Sequence, residues 1–351
     1  MRINPAEPLE TILLKLISIN SPTGKEEEIS NDLFSTLVNL TKFNIEKIGN
    51  NLIATYNINE SYSNIALFGH IDTVPKAKKQ IEGYTNGFIY GRGATDMKSG
   101  LACMLKSAHE INNEIITPKN NITFVFYDAE EGKLENNGVK KLLDQNKINK
   151  LDFAYVLEPT EGNYAIGNMG QIVAHLHFSG RAKHSAFPWD ADNAMNHALD
   201  TMNKIRKISF KESSYKGLIF RESIKMTQAY THNAANIIPD DFRITVDYRF
   251  GPNKSVDEAK DHIFKRFKDE ALIQIKDECP SGYVDLKKSK FLSFENKRVI
   301  FPGYADSAQL MAKGIPSICY GPGSLGVAHC YDENINSKEL NNFYNKLVKH
   351  L

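Results

Sequence analysis

With 351 residues, 41% of them hydrophobic and 24% charged, the chain has the makeup of a globular protein long enough for about two domains of ordinary size. A formal net charge of +1 gives no electrostatic reason to expect nucleic acid or an acidic membrane as a partner. No apolar run reaches the roughly 18 residues that span a bilayer, and the opening MRINPAEPLE has no apolar stretch of the secretory kind, so a cytoplasmic protein is expected.

Apolar residues recur at helical spacing on both sides of SINSPTGKEEE (18–28), which predicts two helices between Leu9 and about Leu40 with a turn between them. FNIEKI (43–48), NLIATY (51–56) and NIALFGH (64–70) read as strands, and SGLACMLKSAHEI (99–111) as a helix. NITFVFY (121–127) is again a strand, NGVKKLLDQN (137–146) a helix and FAYVLEP (153–159) a strand. This alternation predicts an α/β fold with a largely parallel central sheet flanked by helices.

From about Gly170 the pattern changes. QIVAHLHFSG (171–180), SIKMTQAYTH (223–232) and FRITVDYRF (242–250) alternate as half-buried strands do, while DNAMNHALDTMNKI (192–205) and SVDEAKDHIFKRFK (255–268) are amphipathic helices. They predict a smaller antiparallel α+β unit with its helices on one side. AQLMAKGI (308–315), PSICYGPG (316–323) and SKELNNFYNKLVKHL (337–351) return to the first pattern as helix, buried strand and closing helix. The expected organisation is one α/β domain made of residues 1–168 and 283–351, with the α+β domain, residues 169–282, inserted into it. Cys103, Cys279, Cys319 and Cys330 form no CxxC pair and are expected as reduced thiols. Cys330 alone is held open for another role, because it follows His329.

The chemistry gathers where strands of the first pattern end. NIALFGHID ends in His70 and Asp72, NITFVFYDAEE in Glu130 and Glu131, FAYVLEP in Glu158, and PSICYGPGSLGVAH leads to His329. Ligands of open α/β sheets bind outside the carboxyl ends of the strands, so these segments are expected to point to one place. GRGATDMKSG adds Asp96 on a glycine-flanked loop before a helix. Two imidazoles and at least three carboxylates suit zinc, with cobalt or manganese as alternatives. They are too many for one catalytic ion, so a pair is expected; if Asp96 bridges, each ion receives three protein ligands. Asp72 is placed to reach the far nitrogen of His70, and Glu130 to take a proton from an activated water and return it to a leaving amine. Each residue alone has an ordinary alternative: a structural histidine, a solvated acidic turn, a turn cap at Asp72, or an N-cap at Asp96. Asp128, the third acid of YDAEEG, is assigned no role.

GHIDTVP, GRGATDMKSG, YDAEEG, LEPT and GPGSLGVAH, in this order along essentially the whole chain, resemble the metal-site motifs of the M20 metallopeptidase family. That resemblance implies a co-catalytic two-zinc hydrolase in which Asp96 bridges, His70 and Glu158 complete one metal, and Glu131 and His329 complete the other. Glu130 matches the family's general acid/base. It also implies that the inserted domain is a lid that dimerises. His184 in GRAKHSAFP then polarises the scissile carbonyl in the partner subunit's site, and Asn236 in AANIIPD and Arg249 in DYRF bind the substrate, an N-acyl amino acid. The ordinary alternative for Arg249 is a salt-bridged strand residue. Within the family, FVFYDAEEG, NAANIIPDDFRITVDYRFGPNKS and AHCYDE most resemble the desuccinylase branch acting on N-succinyl-LL-2,6-diaminopimelate. PGYADSAQL (302–310) departs from that branch's pattern, and acetylornithine-type deacetylases, other deacylases or dipeptidases, and a non-catalytic metal-binding relative are the alternatives.

Overall fold

The computed structural model describes residues 3–148, 150–285, 291–292 and 297–351. In chain order these form α1 (Leu9–Ser18), α2 (Glu27–Leu37), β1 (Asn44–Ile48), β2 (Asn51–Tyr56), β3 (Asn64–His70), β4 (Gly83–Thr85), β5 (Phe88–Tyr90), α3 (Lys98–Asn112), β6 (Asn121–Tyr127), α4 (Gly138–Asp144), β7 (Phe153–Pro159) and β8 (Tyr164–Asn168). There follow β9 (Gly170–Ser179), β10 (Lys183–His184), α5 (Ala194–Arg206), β11 (Lys211–Tyr215), β12 (Leu218–Tyr230), β13 (Ile237–Ile238), β14 (Asp241–Phe250), α6 (Val256–Phe267), β15 (Leu272–Cys279) and β16 (Gly282–Tyr283). The chain closes with β17 (Arg298–Phe301), α7 (Ser307–Ala312), β18 (Ser317–Gly321), β19 (Asn334–Asn336) and α8 (Ser337–Leu347). The described residues group into two compact units, one of Met1–Ile166, Val284–Phe301 and Ala305–Leu351, the other of Gly167–Tyr283 and Pro302–Tyr304.

The first unit is built on a sheet of order β1-β2-β6-β3-β7-β18-β8. Its centre, β6-β3-β7-β18, is parallel, and antiparallel pairings with β2 and β8 border it. β7 is buried along its whole length and β3 from Ile65 onward, which is why both read as continuous apolar runs. Helix α3 lies close on the sheet: a Cβ on Gly100 would stand 2.9 Å from Leu157 Cβ and 3.0 Å from Leu157 O, so glycine allows the approach. Strands β4, β5 and β19 make a small antiparallel ribbon. At three residues each they are too short for alternation to reveal them.

Two residues left without a role by the sequence tie this unit together. The Asp128 N–H donates to Asn51 Oδ1 at 3.0 Å, and its carbonyl accepts from Gly138 N–H at 2.9 Å, joining the end of β6 to the start of α4. Asp306, in the PGYADSAQL stretch, is fully buried and accepts from Asn137 Nδ2 with both oxygens, at 3.1 Å each, and from Gln309 Nε2 at 2.6 Å. Asn137 also caps α4, its Oδ1 accepting from Val139 N–H at 2.9 Å. Asn137→Ala removes the cap and takes one of the donors from a buried carboxylate, so a stability loss of about 2–4 kcal/mol is expected. Urea unfolding checks it: the midpoint should fall with an unchanged slope.

The second unit is an antiparallel sheet of order β11-β12-β14-β9-β15. Ile172, Ala174, Leu176 and Phe178 of β9, with Ile244, Val246, Tyr248 and Phe250 of β14, pack against Ala198 and Ile205 of α5 and Ala259, Ile263 and Phe267 of α6. Both helices thus cover one face, as period-two alternation requires. Strand β15 escaped the sequence reading because its apolar alternation stops at Ile275, where Asp277 takes the next alternate position beside a register irregularity. The four cysteines are free thiols, Cys330 exposed and the others buried. Among the described residues no helix is long and apolar enough to cross a membrane.

Candidate metal centre

The carboxyl ends of β3, β6 and β7, the loop before α3 and the loop after β18 meet within the first unit. His70 is the last residue of β3, and its Nε2 lies 3.2 Å from Asp96 Oδ1 and 3.8 Å from Glu158 Oε1. His329 Nε2 lies 2.9 Å from Glu131 Oε1 and 3.3 Å from Asp96 Oδ2. The two oxygens of Asp96 therefore face two different imidazoles. Ligand atoms of His70, Asp96 and Glu158 lie within 4.8 Å of one another, as do those of Asp96, Glu131 and His329. A third grouping, His70 with Glu130 and Glu131, satisfies the same spacing. Asp96 does not cap α3: the N-cap is Met97, with no side-chain hydrogen bond.

Local backbone geometry separates the two glutamates. Ala129 has φ 56°, a left-handed conformation uncommon outside glycine, and it turns the chain sharply after β6. Asp72 holds that turn: its Oδ1 accepts the Glu130 N–H at 3.0 Å, and its Oδ2 accepts the Glu131 N–H at 3.1 Å and the Thr23 hydroxyl at 2.8 Å. Asp72 also stands beside the far nitrogen of His70, by its main chain and its side chain. The nearest acceptor to His70 Nδ1 is the Asp72 backbone carbonyl at 2.9 Å, and the carboxylate stands 3.5 Å away. The short i,i+2 spacing allows both contacts, and the side chain also holds the glutamate turn.

The charges are mutually dependent. Burial opposes protonation of His70, but Asp72 and Asp96, then Glu158 and Glu130, outweigh it and hold its pKa well above the usual value. Hydrogen bonds to Asp96 and Glu131 push His329 up to about 10. Burial would raise Asp96, yet His329 and His70 keep it below the ordinary carboxylate range. Glu130 and Glu158 are raised, first by burial and then by neighbouring carboxylate charge. Glu158 Oε1 is buried and has no hydrogen-bond partner among the described residues. A buried orphan oxygen, imidazoles set in a field of carboxylates, and nitrogen and oxygen donors at this spacing fit divalent cations of the zinc type.

The remaining expected site residues lie in the second unit. β10 pairs with β13, setting His184 opposite Ile237, and the Ser185 N–H donates to Asn236 O at 2.9 Å, so His184 and Asn236 share one exposed ribbon. Arg249 Nε and Nη2 donate to the two oxygens of Asp247 at 2.8 and 3.1 Å, which is the salt-bridged alternative read from the sequence. In the first unit the sequence reading passed over Thr23, Arg92 and Glu333: Arg92, in GRGATD, donates from Nη1 to Oε2 of Glu333, in AHCYDE, at 2.7 Å beside Asp96.

Comparison with known proteins covers the stretch of chain that carries these residues. The sequence model of peptidase family M20/M25/M40 matches residues 66–350. A Corynebacterium glutamicum protein named succinyl-diaminopimelate desuccinylase is 30% identical over 337 residues, covering 91% of this chain and 89% of that protein. A Mycobacterium tuberculosis protein provisionally named succinyl-diaminopimelate desuccinylase DapE is 31% identical over 339 residues, covering 94% and 93%. The solved structure of a Staphylococcus aureus tripeptidase superposes with a TM-score of 0.79 at 22% identity, covering 100% of this chain and 98% of that one, a likeness of fold.

Proposed function

The chain belongs to peptidase family M20/M25/M40, and from that premise we propose that this metal-dependent hydrolase removes succinate from N-succinyl-LL-2,6-diaminopimelate. The observation that carries the hydrolytic reading is the divided Asp96 carboxylate, one oxygen toward His70 and the other toward His329, with Glu130 beside them. His70, Asp96 and Glu158 would hold one divalent ion, and Asp96, Glu131 and His329 a second, zinc being the ion the donor set suits best. Such ions, when bound, polarise an amide carbonyl and make a water acidic enough to be a nucleophile at neutral pH. Glu130 takes a proton from the attacking water and returns it to the leaving amine as the C–N bond breaks, releasing a free amino group and succinate. Asp72 fixes the backbone of both glutamates, so that Glu131 and Glu130 keep different targets.

The second unit serves as a lid and dimerisation domain. His184 donates to the amide oxygen as negative charge develops there, in the partner subunit's site, and Asn236 and Arg249 bind the polar ends of the substrate. The substrate choice is supported by the names of relatives about 30% identical over most of the chain. An assay of zinc-loaded protein against succinyl-diaminopimelate, acetylornithine and simple di- and tripeptides tests it. A kcat/KM for the succinyl substrate about tenfold or more above the others is expected. Preference for acetylornithine or for a peptide would overturn the substrate and leave the hydrolytic chemistry standing.

A further inference from the structure

Behind the expected ligands Asp96 and His329 lies a buried ion pair of Arg92 and Glu333, bonded to their backbone. The side chains of Arg92 and Glu333 are 3% and 0% exposed. Glu333 Oε1 accepts the backbone N–H groups of Thr95 and Asp96, each at 3.1 Å, and its Oε2 accepts Arg92 Nη1 at 2.7 Å. The other arm of the guanidinium, Nη2, donates to the backbone carbonyl of His329 at 3.1 Å. Around this pair the chain is held again: Gly91 N–H donates to Glu333 O at 3.0 Å, and β19 pairs with β5, Asn334 opposite Tyr90.

We propose that Arg92 and Glu333 are positioning residues that set the Asp96 and His329 ligands at their mutual separation, and so couple the two ion sites. The inference rests on the two-ion reading above. A buried ion pair is weak evidence for stability, because desolvation offsets most of its Coulomb gain, but its charge-assisted, directional hydrogen bonds specify geometry well. The bonds here span two loops far apart in sequence. His329 has φ 64°, a backbone conformation costly for a histidine, and the Arg92 bond to its carbonyl helps to hold it there.

The two residues act unequally. Glu333 grips the backbone of Asp96, which serves both ligand sets, whereas the outer arm of Arg92 grips His329, which serves one. The test is a zinc titration of metal-free protein against a chromophoric chelator, with folding of each variant checked by circular dichroism. Wild type should take two equivalents. Arg92→Lys keeps a cation for Glu333 but cannot fork to His329; it should retain one equivalent at wild-type affinity and bind the second about 10–100-fold more weakly. Glu333→Gln should weaken both equivalents by a similar factor. Wild-type affinity for both ions in either folded variant, or equal weakening of both in Arg92→Lys, would overturn the positioning role. A wild-type protein that takes fewer than two ions would instead overturn the two-ion reading and this proposal with it. Should Glu333→Gln fail to fold, Arg92→Lys decides the question alone, since it preserves the ion pair.

Discussion

Glu130→Gln is expected to lower kcat about 10²–10⁴-fold while metal content stays at the wild-type level. The substitution changes one oxygen to an amide nitrogen and removes the only property the mechanism needs, an accessible lone pair of the right basicity. The backbone anchor survives, because Asp72 binds the Glu130 N–H and not its side chain. Glu131, held by the same carboxylate, keeps its place beside His329. Burial and the charge of Glu158 raise the Glu130 pKa, the direction that makes a carboxylate a better base. Steady-state kinetics and metal analysis on the same gel-filtered sample check both halves. Activity within a few-fold of wild type removes Glu130 from proton transfer, and a loss of metal makes it a ligand.

Removing metal should abolish turnover and make stability depend on pH in a direction that loaded protein does not share. In the metal-free site His329 titrates at about 10 against an ordinary 6.5, so its contribution is fully present below about pH 6.5 and is lost as pH rises toward 10. His70 is raised in the same sense. Glu130 and Glu158, also raised, bind more protons folded than unfolded and lose stability as pH climbs above 4.5. All four therefore act in one direction, and the metal-free form loses stability as pH rises from about 6.5 toward 10. Lys98 works the other way: burial lowers it to about 7, so stability rises between 7 and 10.5. Its Nζ donates to Leu16 O at 3.0 Å and Ile19 O at 2.7 Å, main-chain partners that both forms share, so its effect largely drops out of the difference. The gap in Tm between loaded and stripped protein is expected to widen with pH, because ions displace those protons. A gap that narrows over this range would contradict the electrostatics of the site.

The elements that were legible beforehand are those whose burial follows one simple pattern along the segment, near-uniform in β3, β6 and β7 and alternating in β9. β3, β6 and β7 each carry a long apolar run, and the polar residues that follow are conspicuous because a buried strand should not end in acids. The β4, β5 and β19 ribbon and β15 were hidden for different reasons, the first too short to show a period and the second losing its apolar alternation at Asp277 beside a register irregularity. Arg92 and Glu333 were hidden because their meaning is a pairing between distant loops, which spacing along one segment does not express.

What the sequence determined by itself was therefore the inventory: two textures of secondary structure, a parallel sheet in the first, and a set of imidazoles and carboxylates at its strand ends. These follow from local periodicity and residue type, properties each segment has alone. Only the tertiary structure decided how that inventory is shared out. It gave Asp72 the Glu130 and Glu131 N–H groups to hold besides its place next to His70, gave Asp128 and Asp306 to the anchoring of α4, and split the two oxygens of Asp96 between His70 and His329. The physical reason is that a carboxylate takes whichever donors the packed backbone presents to it. Those donors come from strands and loops that meet only when the sheet has formed.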